Sequence, residues 1–291
     1  MWQLLQIELF KIFKKPRTYI SFIAITALVG VIQMGLYIDG DAYIGFMLRD
    51  LSVSFDVEGN ILNGYLVCFI ILQLLLVHVP LLISLIAGDL ISGEANMGTL
   101  RLLLTKPISR TEVVLAKFGA ASVYTLLLLV WMAILGLLVS TMLFGTDDML
   151  NLKSGYIVQL KSNDILWRYA CAFGFAALAM LTVAALGFFF SMFADNSIGP
   201  IVATMSVIIV FTILTTLDIP IFNAMKPFLF TTHMIGWKGF FDVQVTEDNE
   251  AIVGSIQNLG RVLQAAGILA LHVVGLLVAS IIVFKKKDVL S

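Results

Sequence analysis

Six stretches of this chain, at about 18–36, 65–88, 116–144, 169–193, 198–217 and 263–284, are nearly free of charge and about as long as a lipid bilayer is thick. The hydrocarbon core measures about 30 Å and an α-helix rises about 1.5 Å per residue, so roughly 20 apolar residues suffice to cross it. Inside hydrocarbon every backbone amide must be satisfied by the chain itself, which leaves only helices or closed barrels. A barrel would show segments of about ten residues with alternating polarity, and the runs here are continuous. Composition agrees, with 60% hydrophobic and 13% charged residues and a mean hydropathy of +1.01, well outside the soluble range. The expected fold is an all-α polytopic membrane protein with six transmembrane helices. Its single domain, 1–291, divides into a helix at 1–16, the six runs, a connecting segment at 89–115 and a long re-entrant or interface-lying segment at 218–262.

Orientation follows from the basic residues. With the N-terminus in the cytoplasm, the inner segments hold Lys11, Lys14, Lys15, Arg17, Arg101, Lys106, Arg110, Lys117 and Lys285 to Lys287. The outer ones hold Arg49, Lys153, Lys161, Arg168, Lys226, Lys238 and Arg261, spread over much longer loops. The positive-inside rule then places both termini in the cytoplasm of a multi-pass protein of the plasma (inner) membrane. The first apolar run is too long for a cleaved signal and no small-residue cleavage site follows it. Cys68 and Cys171 fall within spans and offer no disulfide framework. A net charge of −1 gives no pull toward nucleic acid.

The ends of the spans carry the organisation. On a helical wheel Trp2, Leu5, Leu9, Ile12 and Phe13 share one face, with Glu8, Lys11, Lys14 and Lys15 on or near the other. This describes an interfacial helix with its apolar side in the headgroup boundary and its lysines toward anionic lipid. Pro16 separates it from the first span. In the connecting segment, Gly98 and Thr99 can start a short helix that Pro107 ends, because proline lacks the amide hydrogen. Ser109-Arg110-Thr111-Glu112 reads as a capping box opening a third helix on the order of 50 Å long, which would project well beyond the bilayer. Leu100, Leu102, Leu103 and Leu104 make the short helix too apolar to leave in water. Glu94 and Arg110 flank it and could fix its angle. The turn at Ala194-Asp195-Asn196-Ser197 is very short, and Asn196 or Ser197 can cap the fifth helix.

Other features have plainer readings. His78 and His272 sit within spans, where an ionisable side chain marks function by default; with no acidic or cysteine partner at ligand spacing, an interhelical hydrogen bond explains them better than a metal. Asp39-Gly40-Asp41 begins like a calcium loop, but Tyr43 and the missing terminal glutamate make it a solvated acidic loop. Ala170-x-x-x-Gly174 and Ala172-x-x-x-Ala176 would let the fourth span pack closely, either within one unit or against a second. Gln33, Gln73, Thr182 and Ser206 are polar residues within spans. The chain lacks Gly-x-x-x-x-Gly-Lys-Ser/Thr and so has no P-loop of its own.

The pattern Glu94-x-x-x-Gly98-Thr99-x-x-x-Leu103-Leu104-x-x-Pro107-Ile-Ser109-Arg110, with Lys117 beyond it, resembles the signature of ABC-2 type transporter permeases. Glu8-x-x-Lys11 ahead of Arg17-Thr-Tyr19 is similar to the elbow helix of that family. The flavour is that of the small six-span permeases associated with multicopper-enzyme maturation and peptide-antibiotic resistance. The resemblance implies a permease subunit of an ATP-driven transporter, an exporter, with two such units forming the path. It implies no catalysis and no bound cofactor in this chain, the ATP and Mg belonging to separate ABC ATPase subunits. The second unit would be another copy or a paralogue. Glu94, Gly98, Thr99, Leu100, Arg101, Pro107, Ser109 and Arg110 would belong to the main coupling segment, and Asp195 and Asn196 to a smaller contact. A rival reading is a membrane scaffold or mechanosignalling subunit that moves no solute. A third, an intramembrane enzyme, would rest on His78 and His272.

The topology makes a direct prediction. In a background lacking Cys68 and Cys171, Asp56→Cys and Glu247→Cys should react with an impermeant thiol reagent applied to intact cells. Lys286→Cys should not, and its labelling would overturn the orientation.

Overall fold

The computed structural model describes residues 1–47, 61–153, 156–217, 219–246 and 251–287. The expectations placed on Arg49, Asp56, Glu247 and the side chains of Asp41 and Lys153 lie outside what is described. Among the described residues six helices are long and apolar enough to cross a membrane: Pro16–Gly40, Gly64–Asn96, Arg110–Phe144, Ser162–Ser191, Ile198–Thr216 and Leu259–Lys286. The protein is an all-α polytopic membrane protein. Because these spans are even in number, the start of the first and the end of the last lie at one end of the bundle, called here the terminal end.

The N-terminal helix α1 (Trp2–Lys14) is separated from α2 (Pro16–Met47) by Lys15, whose backbone is extended at φ −83°, ψ 128°. Pro16 causes this break, since its ring excludes the helical conformation from the residue before it. Helix α2 does not stop at an acidic loop as expected. It kinks at Asp39 and runs on through Gly40 as helix. Asn63 caps α3 (Gly64–Ala87) by accepting the Leu66 amide at 3.0 Å. The connecting segment forms α4 (Ser92–Asn96) and α5 (Thr99–Leu104). The third span is α6 (Arg110–Ala133), a π-turn at Ile134–Val139, and α7 (Ser140–Phe144). It runs for 35 residues, about 50 Å.

At the π-turn the ordinary ladder is interrupted, and Gln33 of α2 uses the opening. Its amide nitrogen donates to the Leu135 carbonyl and to Ser140 Oγ, both at 2.9 Å. A polar side chain that would be costly in hydrocarbon is thereby satisfied between two spans. Gly64 allows the neighbouring contact, because a Cβ there would lie 2.4 Å from the Thr141 Cα.

Helix α8 (Leu166–Ser191) forms the centre and packs against α3, α6, α9 (Ile198–Thr216) and α12 (Leu259–Lys286). Ala172, Ala176 and Ala179 are fully buried inside this chain, so that stripe of small residues serves packing within one unit. Ala170 and Gly174 face outward.

The far end is less helical than expected. Strands β1 (Met149–Lys153) and β2 (Tyr156–Leu160) pair antiparallel, and Met149 and Leu160 at their base are buried. Beyond α9 come α10 (Pro220–Asn223), α11 (Phe230–Met234) and a 3₁₀ stretch at Ile235–Phe241. This segment folds back among the spans. Phe230 packs on Phe211 of α9 and on His272, which lies 13 residues into α12, about 20 Å along that helix. Trp237 and Phe241 are buried against Phe69, and Phe241 also against Tyr169.

A buried ion pair ties this cap to α8. The Arg168 guanidinium bonds Asp164 Oδ2 at 2.5 Å and 3.0 Å and the Phe240 carbonyl at 2.6 Å. Asp164 Oδ1 in turn accepts from Trp167 Nε1 and the Gly254 amide. By sequence alone Arg168 counts only among the basic residues of the outer segments. Removing one partner of a buried pair leaves the other uncompensated, at a cost of about 3–5 kcal/mol. Arg168→Met should therefore lower unfolding stability in mixed micelles by that order, and Asp164→Asn added to it should recover part of the loss.

Candidate functional site

The connecting segment at the terminal end is built as a short projecting helix on a charged base. Gly98 stands at φ +70°, a left-handed conformation that glycine adopts without a Cβ penalty, and it redirects the chain from α4 into α5. Leu100 is buried and Leu103 and Leu104 pack partly against the core. Leu102 is 68% exposed, and Arg101 and Met97 are exposed beside it. The apolar cluster is thus divided, one side seated on the protein and one presented outward. Thr99 Oγ1 donates to the Glu94 carbonyl at 3.3 Å. After Pro107 the capping box forms as read from the sequence: Ser109 Oγ accepts the Glu112 amide at 3.2 Å, and the Glu112 carboxylate accepts the Ser109 amide at 3.1 Å.

Beneath α5 four charges close a ring. Lys11 of α1 bonds Glu8 Oε1 and Glu94 Oε1, and Lys117 of α6 bonds Glu8 Oε2 and Glu94 Oε1, each at 2.8 Å. The Lys117, Glu8 and Glu94 side chains are 1%, 2% and 9% exposed. Each cation touches both anions and each anion both cations, so the desolvation penalty of burying them is met by opposite charge on two sides. Burial works against the Lys11 ammonium, but its hydrogen bonds to Glu8 and Glu94 outweigh that and raise its pKa above the usual lysine value.

This ring corrects the reading of α1. Its lysine side is not simply turned to lipid: Glu8 is buried, and Lys11 and Lys15 reach carboxylates of the connecting segment. The face against the protein is Leu4, Glu8 and Ile12, with Leu5, Leu9 and Phe13 packed partly on the core, while Trp2 is 69% exposed alongside Ile7 and Phe10. Small residues of α6 permit the approach, Gly119 sitting where a Cβ would be 3.2 Å from Leu5 Cδ1.

Asp89 forms a second junction that sequence reasoning missed. Its carboxylate is buried, accepts from Lys15 Nζ at 3.0 Å, and also pairs with Arg17 and Ser197 Oγ. It joins the α1–α2 break, the end of α3 and the turn before α9. Gly93 makes room for it, since a Cβ there would meet Asp89 Oδ1 at 2.3 Å. In that turn Asn196 Oδ1 accepts the Gly199 amide at 3.0 Å, capping α9, and Asp195 lies 3.5 Å from Lys287 Nζ.

Arg110 does not fix the angle of α5 as expected. Its guanidinium donates to the carbonyls of Phe284, Lys285 and Lys287, covering the last turn of α12, where unsatisfied carbonyls attract a cation. Nor do the span histidines bond between helices. His78 Nδ1 and His272 Nδ1 each lie 2.8 Å from a carbonyl four residues back in their own helix, and His78 is exposed. Among the described residues no three His, Cys, Asp or Glu side chains gather as a metal site. One signal could have revealed the ring: Lys117 lies two turns into α6, past its charged first turn and at the start of an uncharged run, and such a charge needs a partner.

A family profile described as ABC-2 family transporter protein matches residues 3–289 of the chain. An uncharacterised protein of Bacillus subtilis (strain 168), YhcI, is 27% identical over 119 residues, which is 39% of this chain and 37% of that protein. The chain thus matches little more than a third of that relative's length.

Opening the ring from one side should be more damaging than removing an opposed pair. Lys117→Met should destabilise the protein by roughly 3–5 kcal/mol, because Glu8 keeps its burial and loses half its compensation. The double variant Lys117→Met/Glu8→Gln should recover part of this, measured by unfolding in mixed micelles.

Proposed function

The chain belongs to the ABC-2 transporter family, and from that membership we propose that it is the permease subunit of an ATP-driven ABC exporter. The terminal end faces the cytoplasm of a cell bounded by the plasma membrane. Two permease units, identical or paralogous, form the translocation path, and separate ABC ATPase subunits bind ATP and Mg beneath them. Helix α5 seats in a cleft of the ATPase with Arg101 and Leu102 in contact, and the Asp195–Asn196 turn makes a smaller second contact.

The observation that carries this reading is the shape of the connecting segment: an exposed helical tip on a base locked to two other helices by charge. Force applied to α5 passes through Glu94 and Lys117 to α6, and through Glu8 and Lys11 to α1, without a flexible linker in between. ATPase closure would tilt these helices as rigid bodies. Gln73 and His78 of α3 and Ser206 of α9 lie on exposed faces. Polar side chains facing lipid are costly, so these faces meet the second unit or line the path.

Arg101→Glu should leave expression and membrane insertion intact, because the side chain is exposed at the tip of the segment. It should weaken ATPase association, or uncouple ATP hydrolysis from transport. Co-purification of the ATPase with wild-type and variant permease, followed by a vesicle transport assay, decides the matter; normal association with normal transport would remove Arg101 from the coupling contact.

A further inference from the structure

Between α1 and the connecting segment lie two adjoining cavities of about 390 and 340 Å³, which share Lys15, Asp89 and Met97. Each is within the range of small-ligand sites, about 300–1,000 Å³. Their walls are of two kinds. Phe10 and Met97 are exposed apolar side chains at the rim. The polar side has four basic side chains, Lys11, Lys14, Lys15 and Arg17, against three carboxylates, Glu8, Asp89 and Glu94, and two of those carboxylates are already paired with the buried Lys117 behind the wall.

The distribution of these charges matters more than their total. The ring closes upon itself, two cations with two anions. Asp89 is then left to serve both Lys15 and Arg17, and the Lys14 ammonium, over the Phe10 ring at 5.6 Å, lines the first cavity together with Lys15. The Arg17 Nε–H is buried and meets no acceptor. An anion with several acceptor oxygens is what this corner lacks. The apolar rim is continuous with Trp2, Ile7 and Phe10 on the outward face of α1, a surface suited to the headgroup boundary.

We infer that this cleft holds the headgroup of an anionic phospholipid, its phosphate among Lys14, Lys15 and Arg17 and the start of an acyl chain along Phe10 and Met97. A free phosphate would satisfy the cations and leave the apolar rim uncovered. Burial pushes the Lys15 ammonium below the usual lysine pKa, and the like charge of Arg17 adds to this, as expected of a cation short of counter-charge. The bound lipid bridges α1 and the connecting segment, so it would stiffen the proposed coupling base; its binding does not depend on that proposal.

Native mass spectrometry of the intact permease in neutral detergent tests the site. The added probes are phosphatidylglycerol, a galactosyl diacylglycerol without phosphate, and inorganic phosphate. Wild type should retain phosphatidylglycerol in preference to the glycolipid, and millimolar inorganic phosphate should not displace it. Lys14→Gln and Lys15→Gln should each weaken retention roughly fivefold, the effect of about one lysine at an anionic surface, with Lys15→Arg restoring it. Lys286→Gln, a charge change at the C-terminal end of α12, should have no effect. Should Lys15→Gln fail to fold, Lys14→Gln carries the test, since its side chain lies outside the Asp89 junction. Unchanged retention in Lys14→Gln, an equal loss in Lys286→Gln, equal retention of the glycolipid or displacement by inorganic phosphate would each overturn the assignment.

Discussion

Charge withdrawn from water must be met by charge, and the terminal end of this protein is arranged around that requirement. Lys117 enters the bundle on α6, where neither water nor a headgroup can solvate it. Glu8 and Glu94 answer it from two different segments, and Lys11 balances them in turn. None of the four could be buried singly at a tolerable cost. Their mutual dependence fixes how α1, the connecting segment and α6 sit together, and it does so with a directionality that apolar packing lacks. The projecting helix α5 inherits its position from this base.

The far end solves the same problem with other residues. Arg168 and Asp164 form the buried pair there, and the cap of short helices is secured to it through the Phe240 carbonyl and the Gly254 amide. Polar restraints thus lie at both ends of the bundle. Along its sides, α2, α9 and α12 present mostly exposed apolar residues, as contact with lipid requires.

The spans, the break at Pro16, the helix started at Gly98 and the Ser109 capping box were legible in the sequence because each rests on local rules: apolar run length, proline sterics, glycine freedom, side-chain capping. What escaped was long-range. A helical wheel placed Glu8 and Lys11 on a polar face and sent that face to lipid; only the position of Lys117 more than 100 residues away turns it inward. Asp89 went unread because its partners come from two segments remote from it in sequence. Arg110 was assigned to the nearest helix in the chain, whereas the carbonyls it covers belong to the last one. Histidines with no visible partner were expected to find one across helices and instead bond to their own backbone, which a periodicity argument cannot distinguish.

The π-turn at Ile134–Val139 has a consequence of phase. One more residue per turn than an α-helix rotates everything beyond it by about 100° relative to an uninterrupted helix. The third span is therefore two shafts joined with an offset, and α7 shows its neighbours a face that continuous winding would have hidden. Ser140 meets Gln33, and the backbone at Thr141 meets Gly64, only in that setting. The face α6 turns to Glu8 and Glu94 and the face α7 turns to α2 and α3 are consequently set independently, by the residue count of a single turn between them.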